Sequence, residues 1–315
     1  MYAIRLQNLT KDYKVGFWRP RPYRALDHLT LDVETGAVLG FLGPNGAGKT
    51  TTLKLLMQLI YPTEGRAEIL GRPAGDVEVR RRIGYLPESP YFYDNLTGEE
   101  LLVYFASLFG CPAADRQRRA QQLLDRVGIG AERRMQLRKF SKGMLQRVGI
   151  AQALINDPEV IFLDEPMSGL DPLGRRDVRA LILSLRDEGR TVFFSSHILS
   201  DAEALSSRVA IMGQGRLLAE GRLTDLPFEV EGWEIVATGL DDVKLAELGP
   251  MLQTVTRVAD GRYVIELPVT LPPEEIVGLL AAHGARIVSI NPHNETLEDF
   301  FVRQVTRQKS QAAAS

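Results

Sequence analysis

Apolar and polar residues alternate over 2–7 and again over 29–34 (LTLDVE), the period of strands with one wet face. These two segments are read as antiparallel edge strands joined by a long loop, VGFWRPRPYRAL. The loop carries Phe17, Trp18, Arg19, Arg21, Tyr23 and Arg24, a composition suited to a lipid or partner surface, while its proline pair suits a stiff solvent loop equally well. A short apolar run, AVLGFLG, then passes through a glycine-rich turn into TTLKLLMQLI, whose apolar positions fall at helical spacing. The stretch predicts strand, loop, helix. Further buried strands are expected at 160–164 (VIFLD), 191–196 (TVFFSS) and 208–215 (RVAIMGQG). Short, wholly apolar strands separated by helices imply a parallel sheet covered on both faces.

Between the first helix and VIFLD lies a mostly helical insertion, about 95–155, containing EELLVYFASLFG, RQRRAQQLLDRVGI and KGMLQRVGIAQALI. After Leu226 the pattern changes. WEIVATGL, a helix DDVKLAEL, LQTVTRVA, RYVIELP, a helix PPEEIVGLLAAHG and RIVSI follow in the order βαββαβ, the split-βαβ plan of ferredoxin-like domains. A last helix, TLEDFFVRQVTRQ, precedes a KSQAAAS end expected to be disordered. The chain is therefore divided into a domain over 1–225, which includes the helical subdomain, and an accessory domain over 226–315.

Composition changes this picture little. A chain of 315 residues, 44% hydrophobic and 25% charged, has room for one large and one small globular domain. Its formal net charge of -2 argues against general polyanion binding, so no nucleic-acid partner is expected. The single cysteine, Cys111, sits between Gly110 and Pro112 at an expected helix end, without metal or nucleophile spacing around it. The start, MYAIRLQNLT, lacks a signal peptide's apolar stretch, and no run approaches the roughly 18 apolar residues of a membrane helix. A cytosolic location is expected, with membrane association only through a partner.

The candidate chemistry begins at Gly43-Pro44-Asn45-Gly46-Ala47-Gly48-Lys49-Thr50, which satisfies GxxxxGK[ST] in a strand, loop, helix context. Glycines let backbone N–H groups turn toward a phosphate, and the following helix offers its positive end. Lys49 is expected to reach β and γ phosphates, Thr50 to give a hydroxyl to Mg²⁺, and Thr51 to hold the α phosphate. Asp164 ends a buried strand and makes a second handle on Mg²⁺; Glu165 beside it can polarise the attacking water. One carboxylate for metal and one for water is a hydrolase arrangement. A nucleoside triphosphate and Mg²⁺ are the expected ligands.

Other residues carry a resemblance to one family of such NTPases. Phe140-Ser141-Lys142-Gly143-Met144, with Gln146-Arg147 after it, resembles the signature of the ATP-binding cassette (ABC) family, usually LSGGQ followed by QR. Ser141 and Gly143, at a helix start, suit an anion through hydroxyl, backbone N–H and dipole. Ser168-Gly169-Leu170-Asp171 resembles the family's D-loop and Ser195-Ser196-His197 its H-loop. The resemblance implies that His197 touches the γ phosphate and the catalytic water, that Tyr13 stacks on adenine, and that Ser141, Gly143 and Asp171 serve the nucleotide. It covers residues 1 to about 225 and implies a P-loop fold with a RecA-like parallel core, an antiparallel edge sheet and a helical subdomain. It implies also that two cassettes, most simply two copies of this chain, sandwich two ATP molecules and drive a membrane permease from the cytoplasmic face of the inner membrane.

The chain departs from the family pattern in two places. IGYLPE puts Glu88 where most cassettes have a glutamine touching Mg²⁺ and water, adding negative charge near the γ phosphate. Lys142 and Met144 replace a glycine and the glutamine of LSGGQ. Glu88, together with Leu297-Glu298-Asp299-Phe300-Phe301 near the end, resembles the bacterial branch that exports drugs, antibiotics and polymers with cassette and permease on separate chains. The competing reading is a cytosolic ABC ATPase acting on DNA or ribosomes. Against it, no sustained heptads separate Thr50 from Ser141, and only one cassette is present.

Overall fold

The computed structural model describes residues 1–16, 21–240, 254–258 and 261–313, with side chains through Gln308. The chain divides into two compact units, Met1–Leu226 with the helix end from Gln308, and Pro227–Arg307.

In the first unit, β1 (Tyr2–Val15) pairs antiparallel with β2 (Arg21–Glu34). Most of what reads as a long loop is therefore hairpin: strand pairing continues through Tyr13↔Tyr23 to Val15↔Arg21. Phe17, Trp18 and Arg19 lie outside the described residues. The pattern hides this extension because the distal pairs are polar or exposed and bury no apolar face. β3 (Val38–Leu42) leads into α1 (Lys49–Leu56), which stops short of the predicted length because Gln58 takes a left-handed backbone, φ 54°. β4 (Glu64–Ile69) and β5 (Arg72–Pro73) complete a four-stranded sheet in the order β2-β1-β4-β5. Neither strand is announced by alternation, since most of their residues are exposed or half-buried.

After α2 (Val77–Arg81), β6 (Ile83–Leu86) enters a second sheet. The helical insertion follows as α3 (Gly98–Leu108), α4 (Ala113–Arg126) and α5 (Lys142–Ala153). Thr97 and Glu100 form a capping box at the start of α3, with each side chain bound to the other residue's N–H. Then come β7 (Val160–Leu163), α6 (Pro172–Asp187), β8 (Thr191–Ser196), α7 (Leu199–Leu205), β9 (Arg208–Gly213) and β10 (Arg216–Arg222). The sheet order is β10-β9-β3-β8-β7-β6, parallel throughout except for β10. One apolar core joins both sheets and α1 through Leu6, Leu31, Phe41, Leu53, Phe162 and Phe193. The Phe41 and Phe193 rings lie 5.0 Å apart and Phe162 and Phe193 5.8 Å. Burying each such ring stabilises the sheet pair by about 1.5–3 kcal/mol.

The second unit contains β11 (Val230–Thr238), β12 (Thr254–Val258), β13 (Arg262–Pro268), α8 (Pro273–Ala282), β14 (Arg286–Asn294) and, as far as Arg307, α9 (Leu297–Ala313). Its antiparallel sheet runs β12-β13-β11-β14, the ferredoxin-like strand order. Ile235, Ile265, Leu267, Ile276 and Leu280 form its core. The helix read at DDVKLAEL lies outside the described residues. Phe300 of the LEDFF segment is fully buried, its ring 5.4 Å from that of Phe228 and under the Arg303 guanidinium. Arg303 in turn pairs with Glu229 and Glu295. The expected disordered end is instead helical to Ala313, in keeping with the high helix propensity of its Lys, Gln and Ala residues.

Candidate functional site

Strand order places the chemistry. β3 lies between β9 and β8, and the chain leaves its carboxyl end at Leu42 into the Gly43–Gly48 loop. The parallel register Leu42↔Ser196 brings His197 beside that loop, and Leu163↔Phe194 brings Asp164 beside Ser195. Side chains from three strand ends thus meet at one edge of the sheet, where open α/β sheets bind ligands.

The loop closes on glycine for steric reasons. Gly48, with φ +104°, caps α1, and a Cβ there would stand 2.7 Å from Leu26 Cδ2 and 2.8 Å from the Ala25 carbonyl. Gly48→Ala is expected to cost about 2–4 kcal/mol of stability, combining left-handed strain with overpacking, measured as a shift in the urea midpoint. At Gly43 a Cβ would come 2.8 Å from the Met212 carbonyl.

Lys49 folds back over the loop. Its Nζ donates to the Gly43 carbonyl at 2.7 Å and lies 3.4 Å from Glu165 Oε1, with both side chains buried. The other Glu165 oxygen, Oε2, is 2.8 Å from His197 Nδ1. Glu165 is held in a left-handed backbone, φ 50°, which costs about 1–2 kcal/mol for a residue other than glycine. Its N–H donates to Ser195 Oγ at 2.9 Å, and the same hydroxyl donates to Asp164 Oδ1 at 2.6 Å. Ser195 therefore clasps both carboxylate residues, a role that reading the H-loop by its histidine passed over.

Asp164 is fully buried. Burial pushes its carboxyl above the usual range, Ser195 and Thr50 oppose the shift by hydrogen bonding, and the charges of Glu88 and Glu165 add to it. Burial first, and then the charges of Asp164 and Glu88, push the Tyr85 phenol up to about 12. Thr50 Oγ1 is 3.4 Å from Asp164 Oδ1, while Asp164 Oδ2 is buried without a hydrogen-bond partner. An orphaned carboxylate oxygen beside a hydroxyl fits a Mg²⁺ ion, which takes few protein ligands and completes its shell with water and phosphate oxygens.

Tyr13, Pro44, Asn45, Gly46, Ala47, Gly48, Lys49, Thr50, Thr51, Glu88, Glu165 and His197 line one open cleft. Gly43 underlies it, through its carbonyl's hold on Lys49, and Asp164 backs it through Thr50. Tyr23 and Ala25, at positions whose sequence pattern reads as loop, line it too, as does Ser168 of the D-loop segment. Ser141, Gly143 and Asp171 do not join them. They line a second cleft on the same unit, with Lys142, Arg147 and Gly169. There Ser141 caps α5 by accepting from the Met144 N–H at 3.2 Å, and Asp171 caps α6 by accepting from the Gly174 N–H at 2.7 Å. The segment Ser168–Asp171 runs from the first cleft into the second.

The family model "ABC transporter" matches residues 26–168. Over 305 residues the chain is 46% identical to an uncharacterized ABC transporter ATP-binding protein of Synechocystis sp., covering 96% of this chain and 84% of that one. The chain belongs to the ABC transporter ATP-binding proteins. As a member of that family it binds ATP and hydrolyses it to drive transport. It is also 43% identical over 229 residues to the bacitracin transport ATP-binding protein BcrA of Bacillus licheniformis, covering 72% of this chain and 70% of that one. Among solved structures, the ATP-binding cassette MJ0796, a dimer in a post-hydrolysis state bound to ADP and Pi, superposes with a TM-score of 0.65 at 27% identity. The match spans 70% of this ABC protein and 98% of that chain.

Proposed function

We propose that two copies of this chain pair so that the second cleft of each closes over ATP held in the first cleft of the other. The observation that carries this reading is the separation of the site residues. The phosphate loop, Glu165 and His197 share one cleft, whereas Ser141, Gly143 and Asp171 line another on the same unit. In this reading residues 1–225 are the nucleotide-binding domain and 226–315 an accessory domain.

Thr50 and Asp164, with Glu88 at the rim, would hold Mg²⁺, which when bound neutralises charge on the β and γ phosphates. On ATP binding, Lys49 exchanges the Gly43 carbonyl and Glu165 for phosphate oxygens. Glu165 Oε1 is thereby freed to take a proton from water, while His197 keeps Oε2 oriented. The water oxygen bonds to the γ phosphorus as the bond to the β–γ bridging oxygen breaks, giving ADP and phosphate. Thr51 holds the α phosphate and Tyr13 stacks on adenine. Glu88 in the glutamine position raises the negative charge facing the γ phosphate and tempers this step.

Closing and reopening of the pair would move a separate integral-membrane permease, on the cytoplasmic face of the inner membrane. Among the described residues no helix is long and apolar enough to cross a membrane. Likeness to a bacitracin transport protein and the branch features Glu88 and LEDFF support export. Size-exclusion chromatography with and without Mg-ATP, and affinity capture from solubilised membranes, test the reading. An ATP-dependent dimer and a co-purifying polytopic protein are expected. A strict monomer would overturn the pairing, and capture of ribosomal or DNA-repair proteins would favour the cytosolic alternative.

A further inference from the structure

The hairpin of β1 and β2 places a second aromatic at the cleft. Tyr13 and Tyr23 are direct cross-strand partners, so both side chains project from the same face of the hairpin, and both line the cleft with the phosphate loop. The neighbouring pair on the opposite face fixes this register. Arg24 donates from Nε and Nη2 to the two carboxylate oxygens of Asp12, at 2.9 and 3.2 Å, and from Nη1 to Asp27 at 3.1 Å. Asp27 is tied onward to Arg216 in β10, so the hairpin is anchored to the parallel sheet that carries the loop. Tyr13 is not equally free on both sides: the Lys11 ammonium lies 5.3 Å from its ring centroid and donates to the Tyr61 carbonyl at 2.6 Å. A base meeting Tyr13 therefore uses the side that Lys11 leaves open. Tyr23, just over half exposed, stands ready as a second ring.

The geometry points to Tyr23 as a base-binding residue: the purine of the bound nucleotide rests on a two-ring platform of Tyr13 and Tyr23. This assignment rests on the proposal that the cleft is the ATP site and goes beyond the one aromatic the family resemblance implies. Stacking is tolerant of base identity because every base has a π face. The platform therefore strengthens nucleotide binding as a whole and discriminates weakly between adenine and guanine.

The test is binding of ATP, GTP and inorganic tripolyphosphate to the full chain by isothermal titration calorimetry. The variants are Tyr23→Ala, Tyr23→Phe, Tyr13→Ala, the double alanine variant and Lys49→Ala, each checked for folding by circular dichroism and thermal melting. Tyr23→Ala is expected to weaken ATP and GTP about tenfold each and leave tripolyphosphate unchanged, with Tyr23→Phe near the unsubstituted chain. A loss under twofold for ATP in a folded Tyr23→Ala chain, or an equal loss for tripolyphosphate, overturns the assignment. If Lys49→Ala abolishes ATP binding while Tyr23→Ala does not alter it, only the platform falls. If Lys49→Ala leaves ATP binding intact, the cleft itself has been misassigned and the platform falls with it.

Discussion

Replacing Glu165 by glutamine is expected to lower ATP turnover by about 10²–10⁴-fold, the usual contribution of a positioned general base, while ATP still binds. Glutamine keeps the shape and a polar contact for His197 Nδ1 but loses the proton acceptor. It also removes the anionic partner 3.4 Å from Lys49 in a buried setting, so that lysine turns to incoming phosphates against less competition. Tighter ATP binding and a persistent dimer should accompany the loss of turnover. Phosphate release, nucleotide affinity and size exclusion with Mg-ATP measure the three effects. Turnover within tenfold of the unsubstituted chain would remove Glu165 from the role of base, and a variant that stays monomeric would remove the sandwich.

Asp164→Asn has the next largest effect, and its two halves oppose each other. Turnover should fall by at least about 10²-fold, because a carboxylate that offers Mg²⁺ an unpartnered oxygen is replaced by a neutral amide. The nucleotide-free fold should respond differently. Asp164 has a raised pKa when folded, so between its unfolded and folded pKa values the native state holds more protons than the unfolded one. Stability contributed by the protonated carboxyl is therefore lost as pH rises from the ordinary carboxylate range through the raised value. The asparagine variant has no such loss. Melting temperatures without nucleotide should diverge in its favour as pH climbs through that window, while its turnover stays low throughout. Parallel pH profiles for the two chains would show that Asp164 carries no such electrostatic burden.

Most of the site could be read from the chain because it depends on local patterns. A glycine loop between an apolar strand and a helix, an acidic strand end and a strand-end histidine each declare themselves within a few residues. What escaped reading depends on contacts between distant segments. Ser195 matters because β7 and β8 lie side by side, and no spacing in the sequence states that its hydroxyl meets both Asp164 and the Glu165 N–H. Tyr23 was hidden because the far end of the hairpin buries nothing apolar, so hydrophobic alternation stops while backbone pairing continues to Arg21. β4 and β5 were missed for a similar reason, being mostly exposed or half-buried. In the second unit β11 and β13 were legible because they alternate strongly around Ile235, Ile265 and Leu267.

The placement of Ser141, Gly143 and Asp171 away from the phosphate loop bears on how fuel is used in a cell. On the pairing proposed above, a solitary copy can load ATP but lacks the surface that closes over it. Hydrolysis then depends on two copies meeting, so a membrane protein that gathers a pair raises their local concentration and with it the rate. On that proposal copies adrift elsewhere would stay charged and idle, and the chain's abundance alone would not set how much ATP the cell loses to it.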